Sequence, residues 1–335
     1  MLRPPMPLSR RSLLRAALAA PALLAGCSAR RDPSAPTTAR GRRVVATTPM
    51  LDDMARRVAV GAESSHLFGE GVDPHLYKPI RSDIVELVRA DVVVVNGLLL
   101  EGRMQDAFAR AAESGRTVIP VGDSLPAEEL LHAEGSHGHP DPHIWMDPVL
   151  WGRCGLALAE RLAAGEPARA DDYRAAAGRF VAMAESLRRN AAEAIGSLPP
   201  DRRILVSAHD AFGYFGRRFG LEVHAIQGIS TESEAGLADL EGLVTFLVER
   251  RVPAVFVEST VSPRTVEALV AGTRARGREV AIGGQLYSDS MGAPGTDDGT
   301  WPGMIAHNVS TIVLALGGTL PEGGVLPAEA RHGSL

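Results

Sequence analysis

Cysteine is nearly missing from this chain: Cys27 and Cys154 are the two among 335 residues. If the first serves another purpose, no intrachain disulfide can form, and stability must come from packing and from any bound ligand. Also missing are the patterns His-Glu-x-x-His and Gly-x-Ser-x-Gly, the usual marks of a zinc hydrolase and of a serine hydrolase. A basic excess is lacking as well. The formal net charge is -5, and Arg3, Arg10, Arg11 and Arg15 fall in the first 26 residues without any acid, so removing that stretch takes it to -9. Such a balance does not suit a nucleic-acid binder, whose partner calls for a basic face. What remains is 45% hydrophobic and 22% charged residues, the composition of a folded soluble protein. A length of 335 residues exceeds one ordinary core and suggests two lobes.

The N-terminus indicates where the protein works. A basic stretch ending in Arg10-Arg11 precedes an apolar run from Leu13 to Leu24, too short to span a bilayer as a mature helix, and then Leu24-Ala25-Gly26-Cys27. Residues 1–26 read as a signal peptide. Leu-Ala-Gly-Cys resembles the bacterial lipobox, which implies that Cys27 is acylated and begins the mature chain. Ser9-Arg10-Arg11-Ser12-Leu13-Leu14 is also similar to a twin-arginine export signal. Residues 27–41, rich in Ser, Pro, Thr and Ala, read as a lipidated tether. Membrane contact through that anchor alone, and a monomeric state, are expected.

Downstream, the pattern alternates. Apolar runs at Val44–Thr48, Asp91–Asn96 and Thr117–Val121 suggest buried parallel strands, with helical spacing over 51–60, 83–89 and 105–112 between them. The stretch 168–195 holds no helix breaker except Gly178 and is dense in Ala, Arg and Glu, so a long helix is expected. After Pro199-Pro200 alternation resumes: strands at 204–206, 222–225, 255–257 and 279–282, helices at 211–219, 234–250, 263–276 and 303–316. The expected architecture is α/β, with an N-terminal lobe at 42–166, a linking helix at 167–198 and a C-terminal lobe at 199–335.

Two segments share a motif: Asp73-Pro74-His75-Leu76-Tyr77 and Asp141-Pro142-His143-Ile144-Trp145-Met146-Asp147-Pro148. Proline restrains each turn, so each imidazole is presented stiffly, as a metal ligand requires, and a nearby Asp or carbonyl can take the other ring N–H. His209, in Ser207-Ala208-His209-Asp210, follows an expected strand, at the sheet edge where α/β proteins gather ligands. Asp289, in Tyr287-Ser288-Asp289-Ser290-Met291-Gly292, also follows one. Three imidazoles and one carboxylate would suit Zn2+ and, with a bidentate carboxylate, Mn2+ or Fe2+.

These motifs, with Gln227-Gly228-Ile229-Ser230-Thr231, Phe256-Val257-Glu258-Ser259 and Ile282-Gly283-Gly284, resemble the zinc- and manganese-binding solute-binding proteins of ABC importers, over roughly Arg43 to Leu316. The resemblance implies two parallel-sheet (βα)n lobes linked by one long rigid helix, with metal in the inter-lobe cleft. It further implies that His75, His143, His209 and Asp289 are the ligands and that a membrane permease is the partner. Some members carry Glu in place of His209, mostly manganese binders, so this sequence sides with the zinc or mixed branch. The long His- and acid-rich loop of many zinc importers is reduced to His132-Ala133-Glu134-Gly135-Ser136-His137-Gly138-His139, read here as a solvated loop. Tyr77 and Trp145 are expected to wall the site, and Glu258 to support a ligand.

Three functions compete. The one expected is extracytoplasmic capture of a divalent transition metal for import, without enzymatic activity. A secreted zinc hydrolase would need an open coordination position, which four protein ligands close. A surface adhesin or scaffold fits lipidation but leaves the four motifs without a purpose.

Overall fold

The computed structural model describes residues 41–132, 138–232 and 236–331. The expected signal peptide, Cys27 and most of the tether lie outside these residues. The first sheet is four parallel strands in the order β2-β1-β3-β4: β1 (Arg43–Ala46), β2 (Glu63–His66), β3 (Val92–Val95) and β4 (Thr117–Pro120). The valines of β3 are all buried because helices cover both faces, as an unbroken apolar run requires. Three helices accompany these strands: α1 (Pro49–Val58), α2 (Arg81–Arg89) and α3 (Gln105–Glu113). Pro49 opens α1 at its first turn, where a missing N–H costs nothing, and Thr48 caps it by accepting from Leu51 N.

Strand β2 was not expected. Its sequence, Glu-Ser-Ser-His, carries no apolar residue, yet it pairs with β1 from Arg43↔Glu63 to Ala46↔His66. It is an edge strand whose side chains alternate in exposure, and Ser64 and His66 both hydrogen-bond Asp52 of α1. A helix-facing polar network replaces the apolar alternation that sequence patterning seeks.

Helices α4 (Pro148–Gly165) and α5 (Ala170–Gly196) follow. At 27 residues α5 is about 40 Å long. Its buried residues Tyr173, Ala177, Phe180, Ala184, Leu187, Ala191 and Ala194 recur at steps of three and four, making one stripe that faces the core. Gly178 does not interrupt the helix, and a Cβ there would meet nothing within 4 Å.

The second half carries β5 (Ile204–His209), α6 (Gly213–Phe219), β6 (Glu222–Gln227), α7 (Leu237–Glu249), β7 (Ala254–Glu258), α8 (Arg264–Ala275), β8 (Ala281–Leu286) and α9 (Trp301–Ala315). Its ladders are two parallel pairs, β5-β6 and β7-β8, with β5 beside β7. Three boundaries differ from expectation in ways that matter to the site. His209 and Glu258 end their strands instead of following them, and β8 runs later than expected, through Gly283 and Gly284. Those glycines look like a turn, but a Cβ at Gly283 would lie 2.7 Å from Ala315 Cβ, and one at Gly284 2.6 Å from Thr311 Cγ2. They are small because α9 packs directly on β8.

The largest hydrophobic core is shared by both halves: Met50 and Met54 of α1, Trp151 and Leu158 of α4, Phe180 and Leu187 of α5, and Trp301 and Val309 of α9 belong to it. The fold is thus two α/β lobes joined along a long helix.

Candidate metal centre

Each candidate ligand is placed by a short device. In Asp73-Pro74-His75, Asp73 Oδ1 accepts the main-chain N–H of His75 at 2.8 Å. In Asp141-Pro142-His143 the same turn forms, Asp141 Oδ1 accepting from His143 N at 2.9 Å and lying 2.7 Å from its ring Nδ1. His209 closes β5, where Glu258 at the neighbouring end of β7 accepts its main-chain N–H at 2.8 Å and also bonds its Nδ1. Asp289 lies in the loop after β8.

With their Nδ1 atoms occupied, His143 and His209 turn Nε2 inward. His75 Nε2 lies 3.2 Å from His143 Nε2 and 3.8 Å from Asp289 Oδ2. His143 Nε2 is 3.4 Å from Asp289 Oδ1, and His209 Nε2 is 3.2 Å from Asp289 Oδ2. One ligand atom from each of the four residues lies within 4.8 Å of all the others. Ligand atoms bound at about 2.0 to 2.1 Å around one tetrahedral ion stand about 3.3 Å apart, so these separations suit a common ion. His143 and His209 are fully buried, Asp289 is 1% exposed and His75 8% exposed. His209 Nε2 and both carboxylate oxygens of Asp289 are buried without any hydrogen-bond partner. Burying such atoms unpaired is costly, and a cation among them removes the cost.

Protonation follows the same geometry. Burial works against a charge on His143, but the Asp141 carboxylate, by charge and hydrogen bond, and then Asp289 push its pKa up to about 9. Burial likewise opposes a charge on His209, and Glu258 followed by Asp289 hold it well above the ordinary range. His75, with no carboxylate on its ring, is lowered by burial to about 3, Asp289 opposing and the other two imidazoles adding to the fall. Asp289, despite burial, is held well below the usual carboxylate range by His209 and His143. Without metal, protons on two imidazoles hold this buried carboxylate.

The structure brings His75, His143, His209 and Asp289 together and sets Glu258 directly behind His209. Trp145 stands beside the site, its ring 5.2 Å from that of His143, and its Nε1 donates to Ser288 O at 2.8 Å. Tyr77 lies further out: its ring is 4.5 Å from Phe68 and its hydroxyl donates to Asp83 at 2.7 Å. Of the short loop, His132 and His139 are exposed, and His137 lies outside the described residues. Asp141 carries more than the sequence reading gave it, though its place two residues before a histidine was the visible signal. Asn96 and Glu101 were missed. Asn96 Nδ2 donates to Pro142 O at 2.9 Å, and buried Glu101 Oε1 accepts from Asn96 N at 2.8 Å and from Thr47 Oγ1 at 2.6 Å. No local pattern marks them, since the contact joins residues 46 apart.

The model of the family described as zinc-uptake complex component A, periplasmic, matches residues 44–315. The chain belongs to this family. The manganese-binding lipoprotein MntA of Bacillus subtilis is 38% identical over 308 residues, covering 92% of this chain and 99% of that protein. The zinc-binding protein TroA of Treponema pallidum is 40% identical over 274 residues, 82% of this chain and 88% of that protein. The solved structure of periplasmic TroA superposes with a TM-score of 0.79 at 39% identity, covering 82% of this chain and 99% of that one. That of Fe(III)-bound YtgA from Chlamydia trachomatis gives 0.75 at 26% identity, covering 84% and 100%.

Proposed function

We propose that this chain is an extracytoplasmic solute-binding protein that captures Zn2+ or Mn2+ through His75, His143, His209 and Asp289 and delivers the ion to an ABC-type import permease. The observation that carries the reading is the convergence of three imidazole nitrogens with two unpartnered, buried carboxylate oxygens. Four protein ligands fill the coordination sphere and leave no open position for a substrate water, so the site is that of a carrier and not of an enzyme. With both oxygens of Asp289 facing inward, five-coordination is within reach, which admits Mn2+ and iron beside Zn2+. The ligands come from both sides of the linking helix at 167–198, two from the lobe at 42–166 and two from that at 199–335.

The test is metal analysis of protein purified without added metal, then competition between Zn2+ and Mn2+. A thousandfold excess of metal over its Kd stabilises the fold by about 4 kcal/mol, so melting shifts strongly. His143→Ala abolishes one-to-one binding and the shift, and a variant that keeps both overturns the assignment. Anchoring through Cys27 is part of the same proposal: Cys27→Ser releases the protein from the membrane fraction, and retention there excludes the anchor.

A further inference from the structure

Beta strand β8 ends at Leu286, and Asp289 lies in the loop beyond it. One side chain grips that loop from the helix behind it. Asn308 of α9, fully buried, accepts the main-chain N–H of Tyr287 on Oδ1 at 2.9 Å and donates Nδ2 to the carbonyl of the same residue at 2.7 Å. The next carbonyl, that of Ser288, takes the Trp145 indole N–H at 2.8 Å. Past the end of the ladder, these side chains supply the bonds that a buried main chain needs. An amide presents an acceptor and a donor side by side whatever the pH, which an ionised carboxylate of the same shape does not.

What this grip controls is the tilt of a carboxylate two residues on. Asp289 divides its oxygens: Oδ1 faces His143 Nε2 at 3.4 Å, while Oδ2 faces His209 Nε2 at 3.2 Å and His75 Nε2 at 3.8 Å. Apart from the imidazoles it faces, no group bonds either oxygen. Its approach to them is set by the main chain that carries it. A loop free to rotate would turn one oxygen away. Zn2+ is content with four ligands, so one oxygen suffices for it, whereas Mn2+ seeks more and harder oxygen donors and needs both.

We propose that Asn308 is a specificity-determining positioning residue, which keeps both oxygens of Asp289 turned to the ion and so sustains Mn2+ binding relative to Zn2+. The inference rests on the reading of the four residues as metal ligands. Asn308→Asp retains an acceptor for Tyr287 N–H but loses the donor to its carbonyl, and Asn308→Ala loses both. Wild type and both variants, freed of metal, are titrated with Zn2+ and with Mn2+, and the visible spectrum of the Co2+ form is recorded. Supporting-residue changes usually cost about 10- to 100-fold in metal affinity. That loss is expected for Mn2+, with a smaller one for Zn2+ and stronger Co2+ absorption as coordination falls from five towards four. Equal losses for the two metals, or none, with an unchanged Co2+ spectrum overturn the proposal and leave Asn308 a structural residue. Should Asn308→Ala fail to fold, Asn308→Asp carries the same comparison. Wild type that binds neither metal one to one overturns the ligand assignment itself, which an unaltered Zn2+ to Mn2+ ratio in the variants does not.

Discussion

Asp141 holds His143 twice, one carboxylate oxygen meeting both the main-chain N–H and the ring Nδ1 of the same residue. Glu258 does the equivalent for His209 with its two oxygens, from the neighbouring strand β7. Asp73 grips His75 by the main chain at Oδ1, and its Oδ2 goes to Thr231 across the cleft. Two of the candidate ligands are thus held at both ring and backbone, and the third at its backbone alone.

Asp141→Asn keeps the shape of that support and removes its charge. Metal affinity falls by about 10- to 100-fold, because the imidazole becomes a weaker base and its ring is less firmly aimed. Competition against a chelator of known affinity measures the loss. Affinity within a factor of two of wild type would show that Asp141 only shapes the turn.

The pKa shifts give a direction with pH. In the metal-free protein His143 is raised from 6.5 to about 9, so the stability it contributes is complete below the unfolded value and is lost as pH rises through about 9. Metal needs the same nitrogen unprotonated, so apparent affinity climbs across that window, by about tenfold per pH unit for each proton displaced. His75, already neutral, releases none there. The melting shift caused by Zn2+ is therefore larger at about pH 8.5 than at about pH 6.5, and calorimetry in buffers of different ionisation enthalpy detects proton release. A shift that shrinks as pH rises contradicts this.

Two ion pairs separate burial from mere proximity. Arg218 Nε and Nη2 each lie 2.7 Å from an oxygen of Asp147, which is buried and caps α4 through Val149 N. Arg218→Ala strands that carboxylate and costs about 3 kcal/mol in urea unfolding. The pair Arg174 and Glu160 has comparable geometry but stands in solvent, so Arg174→Ala leaves the midpoint unchanged. Equal effects would refute the distinction.

Two glycines at the packed pair α4 and α5 respond in opposite senses to the same substitution. A Cβ at Gly155 would fall 2.6 Å from Cδ1 of buried Phe180, whereas one at Gly178 meets nothing within 4 Å. Gly155→Ala destabilises by about 1 to 3 kcal/mol through overpacking, and Gly178→Ala stabilises by about 0.5 to 1 kcal/mol through helix propensity. Thermal melts of the two variants should move apart, and melts that move together would contradict the packing.

The sequence by itself determined the α/β alternation, the long helix and the four residues to examine, because each is written locally: valine runs, a breaker-free stretch rich in helix formers, two histidines set in Asp-Pro-His turns, and His209 and Asp289 just past expected strands. Strand β2 escaped it, since Glu63, Ser64, Ser65 and His66 obtain their order from Asp52 and from pairing with β1 and not from apolar period. The extension of β8 through Gly283 and Gly284 escaped it too, because those residues are small for the sake of α9. Only the tertiary structure decided that Nε2 of all three histidines and both oxygens of Asp289 face one point, that Glu258 backs His209, and that Asn308 grips Tyr287. Such contacts form between strand ends and loops far apart in the chain, and side-chain aim is a property of that packing, which no short stretch of sequence records.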